Sequence, residues 1–386
     1  MIESVGPGPS TRLFASLRRR DQRTKAELYL RGLLATEGRK SVRNMSASLQ
    51  GAGDGATEQS LHHFITSSTW GWRPVREALA DTLTDRAPHH VWAVRALPIP
   101  KAGTHSVGVD RLYVPGLGQS IHGQLALGLW YAAEGRTAPV DWRLHLPASW
   151  LDDARRRARA DIPPAAVFED LDECAVALAV GLPARTGTRR PVVLDHVAAR
   201  PAAVTATLAR ADVPFLARIT DRTPLTAADP ALPGAGAGPL PAARLLQAVR
   251  GLGRPAHWPD PAGRPGRRTS LVAAVPVRAG RSACGHRPLV LLGEWDDIRR
   301  PPGALWLARV PGASAGALLG MTKLAARVAH DGESLGDRVG LRDFEGRSFP
   351  GWHRHMTLAS VAHAWSTPEP APAPATDLGY ELSLSA

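Results

Sequence analysis

Apolar positions along the chain change their period near residue 90. Before that point they recur at three- and four-residue spacing. Tyr29, Leu30, Leu33 and Leu34 predict one helix, Val42 to Leu49 a second, and a third begins near Glu58 after the glycine-rich break at 51–55. Trp70 and Trp72 anchor a turn ahead of a fourth helix from Pro74 to Leu83. From Val91 the runs become short and strand-like: Val91 to Val94, Gln124 to Trp130, Pro191 to Asp195 and Val213 to Ile219, the last two reading as central strands. Residues 227–242 are almost all Ala, Pro, Gly, Leu and Asp and suit an exposed connection. Beyond them, Leu271 to Val277 and Pro288 to Leu292 read as strands of a β-rich insertion. Helical spacing returns from Ala315 to Val328 and from His355 to Trp365. The tail after Ser366, with Pro368, Pro370, Pro372 and Pro374 at every second position, is predicted to be disordered. No internal repeat is found.

This pattern predicts an α/β protein in five parts. They are a helical segment (1–87), the first part of a core (88–226), a linker with β-rich insertion (227–312), C-terminal core helices (313–366) and a tail (367–386). A chain of 386 residues with 44% hydrophobic content can bury a sizeable core. No run of eighteen apolar residues and no signal-like N-terminus is found, so the expectation is a cytoplasmic protein.

Charge adds a partner class. Lys and Arg total 47 against 35 Asp and Glu, a formal +12, which draws a protein toward polyanions by counterion release. A GC-rich coding bias toward Arg would raise the same number without a binding role. Arg155, Arg156, Arg157 and Arg159 fit a solvent-facing helix or loop first and a DNA-contacting strip second. Cys174 and Cys284 read as buried small hydrophobes, because His286 beside Cys284 does not complete a zinc pattern.

Five blocks then point to a family: Tyr29 to Leu34 (YLRGLL), Gln59 to Ile65 (QSLHHFI), Lys101 to Val109 (KAGTHSVGV), Ala138 to Leu144 (APVDWRL) and Asp343 to His355 (DFEGRSFPGWHRH). In this order they resemble transposases of the insertion sequence 701 group, within the DDE, RNase H-like superfamily, from about residue 18 to 365. The resemblance implies an RNase H-like core, a mixed sheet flanked by helices, with three carboxylates converging on two Mg²⁺ or Mn²⁺ ions for DNA strand cleavage and transfer.

The resemblance also says where those carboxylates belong. Relatives carry two Asp where this chain has Arg95 and Ala96 in Val94 to Lys101. The second acid is kept as Asp195. The third, a helical Glu, falls at Ala329 and its companion Lys at Gly336, although Asp331 and Glu333 stay open as shifted ligands. An Arg at the first position puts a fixed positive charge where the cations belong, so no metal cofactor is expected unless the site is active. Asp195 is read as a strand-end carboxylate that caps a turn or pairs with Arg95, ahead of a metal ligand.

The functional expectation is therefore a transposase-like protein that binds double-stranded DNA without cleaving it, a degenerate enzyme associated with the nucleoid; a homo-oligomer is left open. The residues expected to face DNA are Arg18, Arg19, Arg20, Arg23, Lys25, Arg39, Lys40, Arg43, Lys101, Arg347, His353, Arg354 and His355, with ordinary helix-start packing as the alternative for His353 and His355. Two other readings stay open. One is an active metal-dependent nuclease using Asp195 with Asp331 or Glu333 and a borrowed acid such as Asp110. The other reuses the cleft for unrelated, for instance biosynthetic, chemistry with Asp195 and His196 as acid and base.

Overall fold

The period change near residue 90 is the boundary between a helical layer and a sheet. A computed structural model describes residues 12–367 apart from 51–54, 86–89, 115–117, 188, 233–234, 237, 263, 265, 281–288 and 298. The expectations for Cys284 and for the tail beyond 367 lie outside the described residues. The helical layer holds α1 (Arg20–Ala35), α2 (Val42–Gln50), α3 (Gly55–Thr66) and α4 (Arg73–Thr84). Each turns an apolar stripe inward, as Ala26, Tyr29, Leu30 and Leu33 do in α1 and Val75, Leu79, Ala80 and Leu83 in α4.

The sheet begins with β1 (Val91–Pro100), β2 (Asp110–Val114), β3 (Gln119–Ala133) and β4 (Arg136–Leu144). Two short helices, α5 (Ala148–Leu151) and α6 (Ala154–Arg159), follow, then α7 (Leu171–Thr186), β5 (Val192–Val197), α8 (Pro201–Arg210) and β6 (Phe215–Ile219). β1 pairs antiparallel with β3, which pairs antiparallel with β4 on its other side; β1 also pairs in parallel with β5, and β5 in parallel with β6. Three antiparallel strands continued by two parallel ones, with helical crossovers, form the RNase H-like arrangement that the sequence led us to expect.

The expected β-rich insertion does not stand apart from this sheet. It supplies β7 (Pro224–Ala227), β8 (Leu240–Pro241), α9 (Ala242–Ala248), β9 (Arg254–Pro259), β10 (Arg267–Ala279), β11 (Leu289–Trp295) and β12 (Leu305–Arg309). β12 pairs with β6, so the insertion extends the same sheet in the order β2-β3-β1-β5-β6-β12-β11-β10-β7-β8, with β4 beside β3 and β9 beside β10.

Two long helices complete the chain. α10 (Ala315–Arg338) is capped by Ser314, runs well past the predicted end at Val328 and crosses β1, β3 and β5. α11 (Phe349–Ser366) starts six residues earlier than its apolar spacing predicts, because Ser348 accepts from the Gly351 N–H and Pro350 sits in the first turn. Residues 351–364 of α11 are all buried, enclosed by α1, α3, α4 and β4. Among the described residues no helix is long and apolar enough to cross a membrane.

Candidate functional site

The positions that the resemblance assigns to the acids sit where β1, β5 and α10 meet. Val94 is in parallel register with Leu194, which sets the next residues, Arg95 and Asp195, side by side. The ladder between β5 and β6 is then broken between Leu194 and Val197. Such an irregularity turns side chains out of the sheet and is common beside functional clefts. The Arg95 guanidinium donates from Nη1 to Asp195 Oδ2 at 2.6 Å, and its Nη2 lies 3.6 Å from Glu333 Oε1. Arg218 on β6 reaches the other oxygen of Asp195 at 3.3 Å. The Asp195 side chain is 10% exposed, so both of its oxygens face cationic side chains in a partly dry setting.

The residues that the sequence singled out fall into place around this contact. The pairing of Asp195 with Arg95 is present. α10 brings Glu333, one turn beyond Ala329, to the Arg95 guanidinium, whereas Ala329 offers no ligand. Asp331, the other shifted ligand considered, is engaged with other partners: its carboxylate accepts from Thr137 on β4 at 2.6 Å and from Arg327 at 3.4 Å. Asp110 is engaged elsewhere as well. It lies opposite Gly123, which faces Pro100, five residues and roughly 16 Å along β1 from Arg95, and its Oδ2 accepts from Ser149 at 2.5 Å. At Gly336, the position the resemblance assigns to a Lys, an added Cβ would lie 2.9 Å from Leu341 Cδ1, so a larger residue there requires the Leu341 side chain to shift.

A divalent cation pair does not fit these residues. Two guanidiniums hold the oxygens of Asp195, and among the described residues no group of three or more His, Cys, Asp and Glu is arranged to hold a metal ion. The acid–base reading of Asp195 with His196 meets a similar obstacle. His196 Nε2 is 2.9 Å from Asp172 Oδ1, and both side chains are buried. Burial works against the ionised Asp172, but the hydrogen bonds from His196 and from the backbone N–H groups of Arg200 and Ala199 outweigh it and hold the carboxyl below its ordinary value. Asp172 therefore ties the end of β5 to the start of α7. Arg218 was missed in the sequence although it is the one charged residue inside the apolar run Phe215–Ile219; Asp172 carried no such signal.

The residues expected to face DNA divide into two sets. Arg18, Arg19, Arg20, Arg39, Arg43 and Arg347 are exposed, Lys25 is half-buried, and Arg23 folds back to donate to the Leu17 carbonyl at 2.8 Å. His353, Arg354 and His355 must be withdrawn from that set because they are buried and spent on internal bonds. His353 Nδ1 accepts from Arg76 Nη2 at 3.1 Å while its ring stacks on Trp72 at 4.7 Å. Arg354 donates to the carbonyls of Ile65 and Trp70. The Nε2 of His355 faces the Gly340 carbonyl at 2.8 Å; a carbonyl only accepts, so Nε2 carries the proton and Nδ1 accepts from the Tyr29 hydroxyl at 2.9 Å.

Lys40 and Lys101 are likewise occupied. Lys40 is buried and its backbone N–H donates to Asp343 Oδ2 at 2.8 Å. Lys101 Nζ donates to the carbonyls of Phe344 (2.6 Å) and Arg342 (3.1 Å), and burial, helped by the nearby charge of Arg39, brings its pKa down to about 8. The Asp343–His355 block is thus the joint between the helical layer and the sheet.

A mixed sheet of this topology, with three antiparallel strands continued by two parallel ones and helices packed on it, defines the RNase H-like fold class. Residues 12–280 match the family described as DDE superfamily endonuclease, well over half of the chain, and the protein belongs to that family. Arg95, Asp195 and Arg218 fall within the matched residues; Glu333 lies beyond them. A search of curated proteins found no match.

Proposed function

We propose that this chain is a DNA-binding member of the DDE family in which a guanidinium has taken the place of the catalytic cations, akin to transposases of the insertion sequence 701 group but unable to cut. The observation that carries this reading is Arg95, whose guanidinium lies between the carboxylates of Asp195 and Glu333. A permanent charge in that place repels divalent cations, and Arg218 reinforces it. Family membership supplies DNA as the substrate class. Exposed Arg18, Arg19, Arg20, Arg43 and Arg347 supply the cations for phosphate contacts. A protein that occupies DNA ends or sites without cleaving them acts as a regulator or antagonist of active relatives, working at the nucleoid.

The test pairs a gel shift with a nicking assay on supercoiled DNA, in Mg²⁺ and in Mn²⁺. Binding that weakens steeply with salt, without nicking, is the expected result. Nicking that disappears in Asp195→Ala or Glu333→Gln would overturn the reading in favour of an active nuclease with a shifted ligand. Absence of binding at low salt would overturn its DNA-binding half.

A further inference from the structure

Beyond the C-terminal ends of β1 and α10, against the turn that follows α1, lies a groove of about 660 Å³. Arg39, Lys101, Arg338 and Arg342 line it with two acids, Asp337 and Asp343; the rest of its wall is glycine, proline and alanine. Both acids already have partners. Asp337 is paired with Arg342, and Asp343 accepts the Lys40 N–H. Arg39 is 65% exposed and touches Glu345 at 3.1 Å, while Arg338 is exposed and makes no ion pair among the described residues.

Positive charge is crowded here. After burial, it is Arg39 that holds the Lys101 ammonium down, and Arg338 acts in the same direction on Lys40 against the pull of Asp343. A multivalent anion in the groove would relieve that repulsion. Asp337 is one helical turn beyond Glu333, so the groove opens one turn from the Arg95 centre.

We propose that this groove seats the phosphodiester backbone of DNA through Arg39, Arg338 and Arg342, without reading bases. The inference rests on the DNA-binding reading and adds to it a second contact surface, separate from Arg18 to Arg20. Guanidiniums match phosphate oxygens in a fork geometry, and the absence of aromatic rings from the lining leaves nothing on which a base could stack. Lys101 is a positioning residue here, since its bonds to the Arg342 and Phe344 carbonyls hold one wall in place.

The experiment uses the full chain and two duplexes of unrelated sequence. Binding is measured across salt for the wild type, for Arg39→Gln with Arg338→Gln, and for Arg18→Gln, Arg19→Gln and Arg20→Gln together. Arg342 is left intact because it also holds Asp337. Each lost phosphate contact lowers the log–log salt slope by about 0.9, so the groove variant should lose about two and weaken equally on both duplexes. With only four lysines in the chain, the Lys101 Nζ can be followed by NMR, and its titration midpoint should move up from about 8 when DNA binds. A wild type that binds while the groove variant keeps its affinity and slope, with Lys101 unmoved, overturns the groove and spares the DNA-binding reading. Failure of the wild type to bind either duplex overturns both. A loss confined to one duplex overturns the claim that bases are not read.

Discussion

Arg95 and Asp195 stand on neighbouring parallel strands, and their guanidinium and carboxylate meet at 2.6 Å. The contact is an ion pair made within the protein, complete without a bound cation.

On the proposed reading, Mn²⁺ binding has to be rebuilt rather than merely supplied. Arg95→Asp with Ala329→Glu adds two carboxylates to Asp195, and Arg218→Ala removes the second guanidinium. Calorimetric titration should show no Mn²⁺ site in the wild type and a site in the triple variant that disappears with Asp195→Ala. Equal binding by both proteins would mean that the wild type already owns a metal site. Cleavage need not return with the metal, since Gly336 stands where the resemblance implies a Lys, and a side chain there would have to displace Leu341.

Removing the shared acid should cost more than removing either arginine. Asp195→Ala leaves Arg95 and Arg218 facing each other in a partly buried place, and a loss of about 2 kcal/mol is expected after allowing for the exposure of both arginines. Denaturant midpoints for Asp195→Ala, Arg95→Met and Arg218→Met check the ranking; equal midpoints for all three would refute it.

Arg76 is the most deeply committed cation in the protein. Its guanidinium donates to Thr357, Asp141, the Trp142 carbonyl, His353 Nδ1 and the His353 carbonyl, and its side chain is 2% exposed. Arg76→Met should destabilise by about 3 to 5 kcal/mol, because several buried acceptors lose their donor at once. Arg76→Lys should recover little, since one ammonium cannot span that fan of acceptors. Recovery of wild-type stability by Lys would show that charge alone matters there.

Acid should unfold the protein through α11. Burial lowers His355 and His363 to about 4, and burial with the charge of Arg76 places His353 well below its ordinary value. The unfolded chain takes up these protons near 6.5, whereas folded His355 and His363 take theirs up only near 4 and folded His353 too is shifted well down. Protonation therefore favours unfolding: stability is complete above about pH 6.5 and is lost as pH falls toward 4, by about 3 kcal/mol for each of His355 and His363. Melting temperatures from pH 7 to pH 4 should fall, and His355→Gln should shrink the fall. A flat profile would contradict the neutral, buried state.

Much of the architecture was legible because it repeats. The stripe Tyr29, Leu30, Leu33 and the short apolar run before Asp195 follow helix and strand periods, and each became the element expected. α7 left no such stripe, because Leu171, Cys174, Val176, Leu178, Val180 and Leu182 spread apolar groups around it, and its start is marked only by the capping box of Asp170 and Glu173. At the site, Arg95 opposite Asp195 could be read from the sequence because both lie in motifs. Arg218 could not be paired with Asp195, since that contact depends on which strand follows β5 in the sheet. The block ending at His355 misled for a different reason: basic residues look alike in sequence whether they face DNA or, like Arg354, bind carbonyls in the core.

The bond between Tyr29 and His355 also sets an order of events during synthesis. Its partners are 326 residues apart, and at roughly 5 to 20 residues per second about 15 to 65 seconds separate their emergence from the ribosome. β6 waits as well, because the strand that covers its outer edge begins only at Leu305. Until that strand is made the core keeps an unpaired edge, and until the last helix is released the N-terminal helices lack the surface they enclose. The N-terminal helices can therefore close around α11 only after nearly the whole chain has been made.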